Sequence, residues 1–254
     1  MFLSARRMNG MPVESKGELI GKIEQFLFDD RNWAVRYIVT DVGNRLSGKR
    51  VLLSPAAVEK HFDETLKIKI SKEQVMNSPD IDTAGPVTRR MEIELHDYYS
   101  WPYYWVFPSF YNSLGGAMYP GLTSPSGFMP SSGEKVLDER EILRESHLRS
   151  TREMTGFMVQ AIDENVGKID DFLIETNEWV VRYILVDTGT AHRRVILSPG
   201  WTRGIDWEER IVYAGHRREI IQNGPAYYAE EEIDRDFENR LYDYYQQPKY
   251  WIEE

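Results

Sequence analysis

The sequence contains no cysteine. Disulfide bridges, thiolate nucleophiles and cysteine-ligated metal sites are therefore excluded, and a reducing compartment is allowed. Long hydrophobic runs are missing too: nowhere do about 18 apolar residues follow one another, so the sequence predicts no transmembrane segment. The opening stretch, MFLSARRMNG, lacks the apolar core of a signal peptide. We therefore expect a cytoplasmic protein.

Basic residues are in the minority. The chain of 254 residues has 31 Lys and Arg against 41 Asp and Glu, and its formal net charge is -10. Such a charge opposes extended contact with a polyanion, because like charges repel. The composition therefore argues against a nucleic-acid partner.

Catalytic signatures are missing as well. The sequence has no phosphate-binding loop, dinucleotide fingerprint, nucleophile elbow or zinc-binding helix motif. A metal site needs several converging ligands, whereas the five histidines are scattered along the chain. They are His61, His96, His147, His192 and His216. We expect no enzyme activity, with no catalytic residue, no cofactor and no metal site.

What the sequence does contain is one long segment twice. IGKIEQFLFDDRNWAVRYIVTDVG at residues 20–43 returns as VGKIDDFLIETNEWVVRYILVDTG at residues 166–189. Typical domains hold roughly 100 to 150 residues, so length and repeat together predict two domains. We expect them at residues 1–112 and 136–254, with a Gly/Pro/Ser-rich linker at 113–135. Because each copy holds its own strand segments, we expect each half to fold separately.

Each copy is patterned first for strands and then for a helix. Residues 22–28 and 33–39 are rich in β-formers and flank the turn residues DDRN, which predicts a hairpin; residues 48–55 and 66–70 predict further strands. A capping box at Ser71 predicts a short helix. Apolar stripes at helical spacing follow in each copy. The stripes are Val87, Met91, Leu95 and Tyr98, and then Ile233, Phe237, Leu241 and Tyr244, with Pro102 and Pro248 beyond them.

The repeated segment, followed by RVLLSP in one copy and RVILSP in the other, resembles the PRC-barrel family. The likeness covers residues 1–70 and 148–213. It implies a mainly β fold: two small six-stranded antiparallel PRC-type β-barrels in tandem, each followed by an amphipathic helix. The family includes the cytoplasmic domain of the photosynthetic reaction-centre H subunit and the C-terminal barrel of a ribosome-maturation factor. The resemblance therefore implies a module for binding and assembly.

Several residues recur at matching positions of the two copies, and we interpret them as a structural repeat core. They are Gly21, Trp33, Arg36, Tyr37 and Asp41, and then Gly167, Trp179, Arg182, Tyr183 and Asp187. We expect the glycines to permit a bulge or sharp coiling. The tryptophans either close one end of each barrel or form a stacking platform for a ligand. The arginines either pair with Asp41 and Asp187 or anchor a carboxylate of a partner.

The segment YYSWPYYWVFPSFY at residues 98–111 is dominated by aromatic rings. We expect part of it to pack on the first barrel, and part to be available to a partner, because a loop cannot bury so many rings by itself. The candidate interface residues are Trp101, Tyr104, Trp105, Phe107, Phe110 and Tyr111.

The leading hypothesis is a non-enzymatic tandem PRC-barrel protein that binds a protein partner as an adaptor or assembly module. One alternative is a peripheral component of a membrane electron-transfer assembly similar to a photosynthetic reaction centre. Another is a small-ligand binder or hydrolase that uses an interdomain cleft. The sequence leaves an oligomer and a peripheral membrane contact open, and it does not identify the partner.

Overall fold

The computed structural model of the chain describes residues 1–43, 48–59, 64–79, 85–105, 147–189, 193–229 and 231–252. The linker predicted at 113–135, with the domain boundaries beside it, lies outside these residues. So do His61, His192, Phe107, Phe110 and Tyr111. The chain divides into two compact units, which we name by the sequence half that supplies most of each. The N-terminal unit is Arg7–Ser150 with Asn177–Val180, and the C-terminal unit is Met1–Arg6, Thr151–Thr176 and Val181–Glu254.

Strands make up most of the regular structure. In chain order they are β1 (Phe2–Ser4), β2 (Pro12–Ser15), β3 (Glu18–Asp29), β4 (Val35–Asp41), β5 (Arg50–Leu53), β6 (Leu66–Ile68), β7 (Leu148–Ser150), β8 (Met158–Gln160), β9 (Asn165–Glu175), β10 (Val180–Asp187), β11 (Arg194–Leu197), β12 (Thr202–Asp206) and β13 (Ile211–Ala214). The helices are α1 (Ala5–Met8), α2 (Lys72–Met76), α3 (Arg89–Tyr99), α4 (Thr151–Met154), α5 (Arg218–Gln222) and α6 (Arg235–Tyr245), with short 3-10 turns at Pro55–Ala57 and Pro199–Trp201. The fold is therefore mainly β, as the sequence predicted.

Each unit contains one mixed sheet. The N-terminal sheet has the order β5-β4-β3-β2-β6 with β7 on β3, and the C-terminal sheet has the order β11-β10-β9-β8-β13-β12 with β1 on β9. Purely antiparallel pairing was expected and is wrong, because β2 runs parallel to β6 and β8 runs parallel to β13. Alternation of side chains predicts a strand but not its direction. None of the described strand pairs closes either sheet into a barrel.

One strand in each sheet comes from the other half of the sequence. β1 pairs antiparallel with β9, with Leu3 opposite Ile174, and β7 pairs antiparallel with β3, with Arg149 opposite Phe28. The expectation that each half holds a complete set of strands is therefore wrong. A strand of three residues is too short for its periodicity to show which sheet it joins.

The repeated segment forms the predicted hairpin in each unit, β3 with β4 and β9 with β10. In the N-terminal unit its apolar residues meet the helix α3, since Leu27 and Val39 share one buried cluster with Leu95. The helix begins after Thr88, whose side chain accepts a hydrogen bond from the Met91 N–H. The capping box at Ser71 and the predicted helix are confirmed, and Leu95 and Met91 of the stripe meet the buried cluster. Tyr98, the last residue of the predicted stripe, is 40% exposed.

Candidate functional site

The helix α3 carries polar residues on the side that faces the sheet. Arg89, Glu92 and His96 lie three and four positions apart, which aligns them along one face. Glu92 is 0% exposed and His96 is 4% exposed. A buried carboxylate is costly unless other groups pair with it and donate hydrogen bonds to it. The surroundings of Glu92 therefore determine what this face can do.

Glu92 receives three hydrogen bonds. Its Oε2 accepts from Nη1 of Arg89 at 2.6 Å, and its Oε1 accepts from the hydroxyls of Tyr37 at 3.0 Å and Tyr104 at 2.6 Å. Burial raises the pKa of Glu92, and Arg89 together with the two hydroxyls opposes that rise. Burial also raises the pKa of Tyr37 and of Tyr104 well above the ordinary value, so both phenols remain donors. The three donors join strand β4, helix α3 and the segment after it.

His96 extends this network. Its Nδ1 lies 2.9 Å from the Pro102 carbonyl oxygen, and its Nε2 lies 2.8 Å from the Tyr37 hydroxyl. A carbonyl oxygen can only accept, so Nδ1 carries the proton and Nε2 is an acceptor. The single hydroxyl proton of Tyr37 therefore lies between two acceptors, Nε2 and Glu92 Oε1. Burial lowers the pKa of His96 to about 4, which keeps the ring neutral near pH 7.

The aromatic segment, residues 98–105 as described, folds back around His96. The ring centroids of Trp101, Tyr103, Tyr104 and Trp105 lie 5.8, 5.9, 5.9 and 4.9 Å from that of His96. All four residues are half-buried. Trp101 and Tyr104, which were predicted as interface residues, pack against the buried cluster of the N-terminal unit.

Two arginines stack on this aromatic segment. The Arg36 guanidinium lies 4.1 Å from the ring centroid of Tyr104, and the Arg89 guanidinium lies 4.2 Å from that of Trp105. Such cation–π contacts contribute about 0.5 to 2 kcal/mol each, depending on exposure. They hold the rings of Tyr104 and Trp105 in place beside Glu92.

The C-terminal unit repeats the arrangement 146 positions later. Glu238 is 2% exposed and accepts from the Tyr183 hydroxyl at 2.5 Å and the Tyr250 hydroxyl at 3.0 Å. Arg235 forms an ion pair with Glu238 at 2.9 Å, and its guanidinium lies 4.3 Å from the ring centroid of Trp251. Among the rings around His96 the units differ: His96, Trp101 and Tyr103 correspond to Tyr242, Gln247 and Lys249.

The sequence pattern did not predict the buried carboxylate networks. A signal for them existed, because identical polar and aromatic residues recur at the same offset in the helix and the segment after it, while several neighbouring positions have changed. These pairs are Arg89 and Arg235, Glu92 and Glu238, Tyr104 and Tyr250, and Trp105 and Trp251. A glutamate on an amphipathic helix is normally solvent-exposed, so its burial could not be predicted from the helical pattern.

The ion pairs predicted for the repeat core are wrong. The Arg36 guanidinium lies 3.9 Å from the carboxylate of Asp29, not beside Asp41, and Arg182 binds Glu175 at 2.6 Å, not Asp187. Each predicted partner is five residues further along the same strand, which places it roughly 16 Å away at about 3.3 Å per residue. The true partners come from the preceding strand of the hairpin.

Gly21 and Gly167 lie beside a shift of register between two strands. Gly21 is opposite Val13, and Gly167 is opposite Val159, and in both places the register shifts at the next pair. A Cβ atom at either glycine would overlap the carbonyl oxygen of Asp41 or Asp187. The close approach of the hairpin strands therefore requires glycine.

Trp33 and Trp179 lie in the hairpin turns, ahead of the strands that they were predicted to begin. Both adopt left-handed backbone conformations, with φ of 61° and 53°. Trp33 is half-buried and stacks on Phe28 at 4.9 Å between ring centroids. Trp179 is 4% exposed and belongs to the N-terminal unit, where its ring centroid lies 6.5 Å from that of Phe26. The two tryptophans thus have different surroundings.

No three His, Cys, Asp or Glu side chains within the described ranges are grouped so that they could hold a metal ion. None of the helices in that part of the chain is long and apolar enough to cross a membrane.

Comparison with known proteins finds a family match for the first part of the chain. Residues 1–75 match the family model of the PRC-barrel domain. No curated protein matches the chain. The matched range holds strands β1 to β6 and the hairpin with Gly21, Arg36 and Tyr37. Residues 1–75 are therefore similar to the PRC-barrel domain, and this match covers less than half of the chain.

Proposed function

We propose that the chain is a non-enzymatic tandem PRC-barrel protein of the cytoplasm, which binds a protein partner as an adaptor or assembly module. The family match supports the first PRC-type domain. The second is inferred from the hairpin β9–β10 and the Glu238 network, which repeat the features of the first half 146 residues later. PRC-type barrels are the form that this proposal assigns to both.

The observation that carries the proposal is a difference between the two aromatic segments. Tyr104 and Trp105 have identical counterparts, and they bind Glu92 and Arg89. Trp101 and Tyr103 instead correspond to Gln247 and Lys249, so the shared network does not require aromatic rings there. The extra rings are half-buried and held in place. Rigid, partly exposed Trp and Tyr side chains are enriched at protein interfaces.

The state of the buried acid supports a structural role for the network. Glu92 is enclosed, and its oxygens are engaged by Arg89, Tyr37 and Tyr104. A substrate would have to displace a tyrosine or the arginine to reach it. We therefore assign the network to holding helix α3 and the aromatic segment on the sheet, where Trp101 and Tyr103 are presented to a partner.

The test exchanges the extra rings for the residues of the other unit. The variant Trp101→Gln with Tyr103→Lys copies Gln247 and Lys249, which occupy these positions in the C-terminal unit. Because Trp101 also packs on the buried cluster, the thermal unfolding of the variant is compared with that of the unmodified chain. We expect a tagged full-length chain in its native host to lose its specific partner, with recovery reduced at least ~10-fold, as for central interface residues.

The matched control is Tyr228→Ala, which removes an aromatic ring that is 57% exposed in the C-terminal unit. This control should recover the partner as the unmodified chain does. If the double variant unfolds at the normal temperature and still recovers the same proteins in the same amounts, the aromatic segment is not the interface.

A further inference from the structure

The two exchanged strands occupy equivalent places with different chemistry. β7 lies on β3 with Leu148 opposite Asp29, and β1 lies on β9 with Phe2 opposite Glu175. Phe2 and Leu148 are 146 positions apart, so both strands are the first strand of their own sequence half. Each half therefore donates the same strand, and each sheet accepts the strand of the other half.

In the N-terminal sheet, the side chain of Asp30 binds the residues of β7 and the residue before it. Asp30 lies 3.1 Å from Nε of Arg149 and 3.2 Å from Nδ1 of His147. The Asp30 backbone N–H also donates to the His147 carbonyl oxygen at 2.9 Å. The Asp30 side chain is only 13% exposed. A carboxylate this far buried requires the donors that β7 brings.

In the C-terminal sheet, the side chain that binds β1 is Asp171. Asp171 is 6% exposed and accepts hydrogen bonds from the Ser4 hydroxyl and, at 3.0 Å, from the Arg6 backbone N–H. The Arg6 guanidinium binds the neighbouring Asp170 at 2.7 Å. The Phe2 ring lies 5.5 Å from the ring centroid of Tyr183. Ser150 and Arg152 stand at the positions of Ser4 and Arg6, so what distinguishes β1 at this site is its apolar residues Phe2 and Leu3.

The acidic residues that bind the exchanged strands have no acidic counterpart in the other sheet. Thr176 stands where the N-terminal sheet has Asp30, and Gln25 stands where the C-terminal sheet has Asp171. The two exchanged strands also differ in charge, because the apolar Met1 and Leu3 correspond to His147 and Arg149. With β1 on β3, Asp30 would face Met1 and Leu3, which have no side-chain donors. With β7 on β9, Arg149 would face Thr176, which has no charge. Both wrong pairings cost an uncompensated charge.

We propose that Asp30, together with His147 and Arg149, determines which strand completes the N-terminal sheet: Asp30 selects β7 over β1, which leaves β1 for the C-terminal sheet. The two sequence halves therefore recognise each other and not a second copy of themselves. The chain behaves as a heterodimer whose subunits are fused. Each half binds the exchanged strand of the other half. The N-terminal sheet binds the basic strand β7, and the C-terminal sheet binds the apolar strand β1.

The first test measures association without the covalent link. A protease site is inserted within residues 113–135 of the full chain, which is cleaved after folding and analysed by gel filtration with light scattering. We expect the two fragments to remain together as one particle at micromolar concentration. If they separate under native conditions, the halves do not recognise each other and the proposal is wrong.

The second test changes the selecting charges in the same cleavable chain. His147→Met with Arg149→Leu copies Met1 and Leu3 and leaves Asp30 without these donors, so we expect association to weaken at least ~10-fold. Adding Asp30→Thr, which copies Thr176, should restore association to near the starting affinity. This rescue separates selection from a general failure to fold. If the double variant associates normally, or if Asp30→Thr fails to restore binding, Asp30 does not select β7.

Discussion

At the scale of single residues, the main feature is a buried glutamate in each unit. Glu92 and Glu238 are almost completely enclosed, and each is bound by two tyrosine hydroxyls and an arginine. A buried charge does not by itself favour folding, but removing its partners is costly. The network therefore fixes one arrangement of strand, helix and aromatic segment.

Replacing Glu92 by Ala should strongly destabilise the N-terminal unit. The change removes the acceptor of Tyr37, Tyr104 and Arg89, and breaking such a buried charged network costs about 3 to 5 kcal/mol. Urea titration, with hydrogen exchange read at the amides of β3 and β4, measures the effect. The control is Glu94→Ala, because Glu94 forms an exposed pair with Arg90 and should matter by less than ~1 kcal/mol. Equal effects of the two changes would contradict a structural role for Glu92.

His96 should make the N-terminal unit less stable as the pH falls. Burial lowers its pKa from 6.5 to about 4, so the unfolded chain binds the proton first. The stability contributed by the neutral ring is fully present above pH 6.5 and is lost as the pH falls towards 4. The loss approaches ~3 kcal/mol at about 1.4 kcal/mol per pH unit.

The matched variant is His96→Tyr, which copies Tyr242 and has no group that titrates in this range. The difference in unfolding free energy between this variant and the unmodified chain should therefore change between pH 7 and pH 4.5. Glu92 is present in both proteins, so its own pH dependence largely cancels in this difference. A difference that stays constant over this range would show that His96 does not carry the effect.

At the scale of elements, the hairpins depend on a close approach of two strands. The carbonyl oxygen of Asp41 occupies the space where a side chain at Gly21 would begin. The β-forming residues on either side of the turn residues DDRN predicted the hairpin, because such patterns are local properties of the chain. The need for glycine depends on the distance between the two strands, and that distance cannot be predicted from the pattern of residues along one strand.

Gly21→Ala should separate β3 from β4 or prevent their pairing. The added methyl group would meet backbone, which cannot move aside as a flexible side chain can, so we expect a loss of at least ~2 kcal/mol. Thermal unfolding measures this loss. Gly85→Ala is the control, because nothing lies within 4 Å of a Cβ atom there. If the two variants have the same unfolding temperature, the strands do not approach as closely as described.

At the scale of the whole molecule, the exchanged strands link the two sequence halves. A half cut out of the chain loses the strand that the other half donates, either β7 or β1. The bonds of Asp30 or of Asp171 are lost with that strand.

The separately produced segments 1–112 and 136–254 should therefore fail to melt cooperatively as monomers. Mixing them should restore a cooperative transition, because each supplies the strand that the other lacks. Circular dichroism during heating, together with light scattering, tests both statements. Two halves that melt cooperatively as monomers on their own would show that the exchanged strands are dispensable.

The repeat, the hairpins, the helix capped by Ser71 and the family resemblance of the first part could be predicted from the sequence. These features are local or periodic, so residues such as Ser71 and Leu95 carry their signal within a few positions. The tertiary structure alone decided the parallel strand pairs, the exchange of β1 and β7, the burial of Glu92 and the pairing of Arg36 with Asp29. Each of these depends on which residues meet across the sheet after folding. Local patterning restricts the form of a segment but leaves its partner unspecified, because many partners offer the same alternation of side chains.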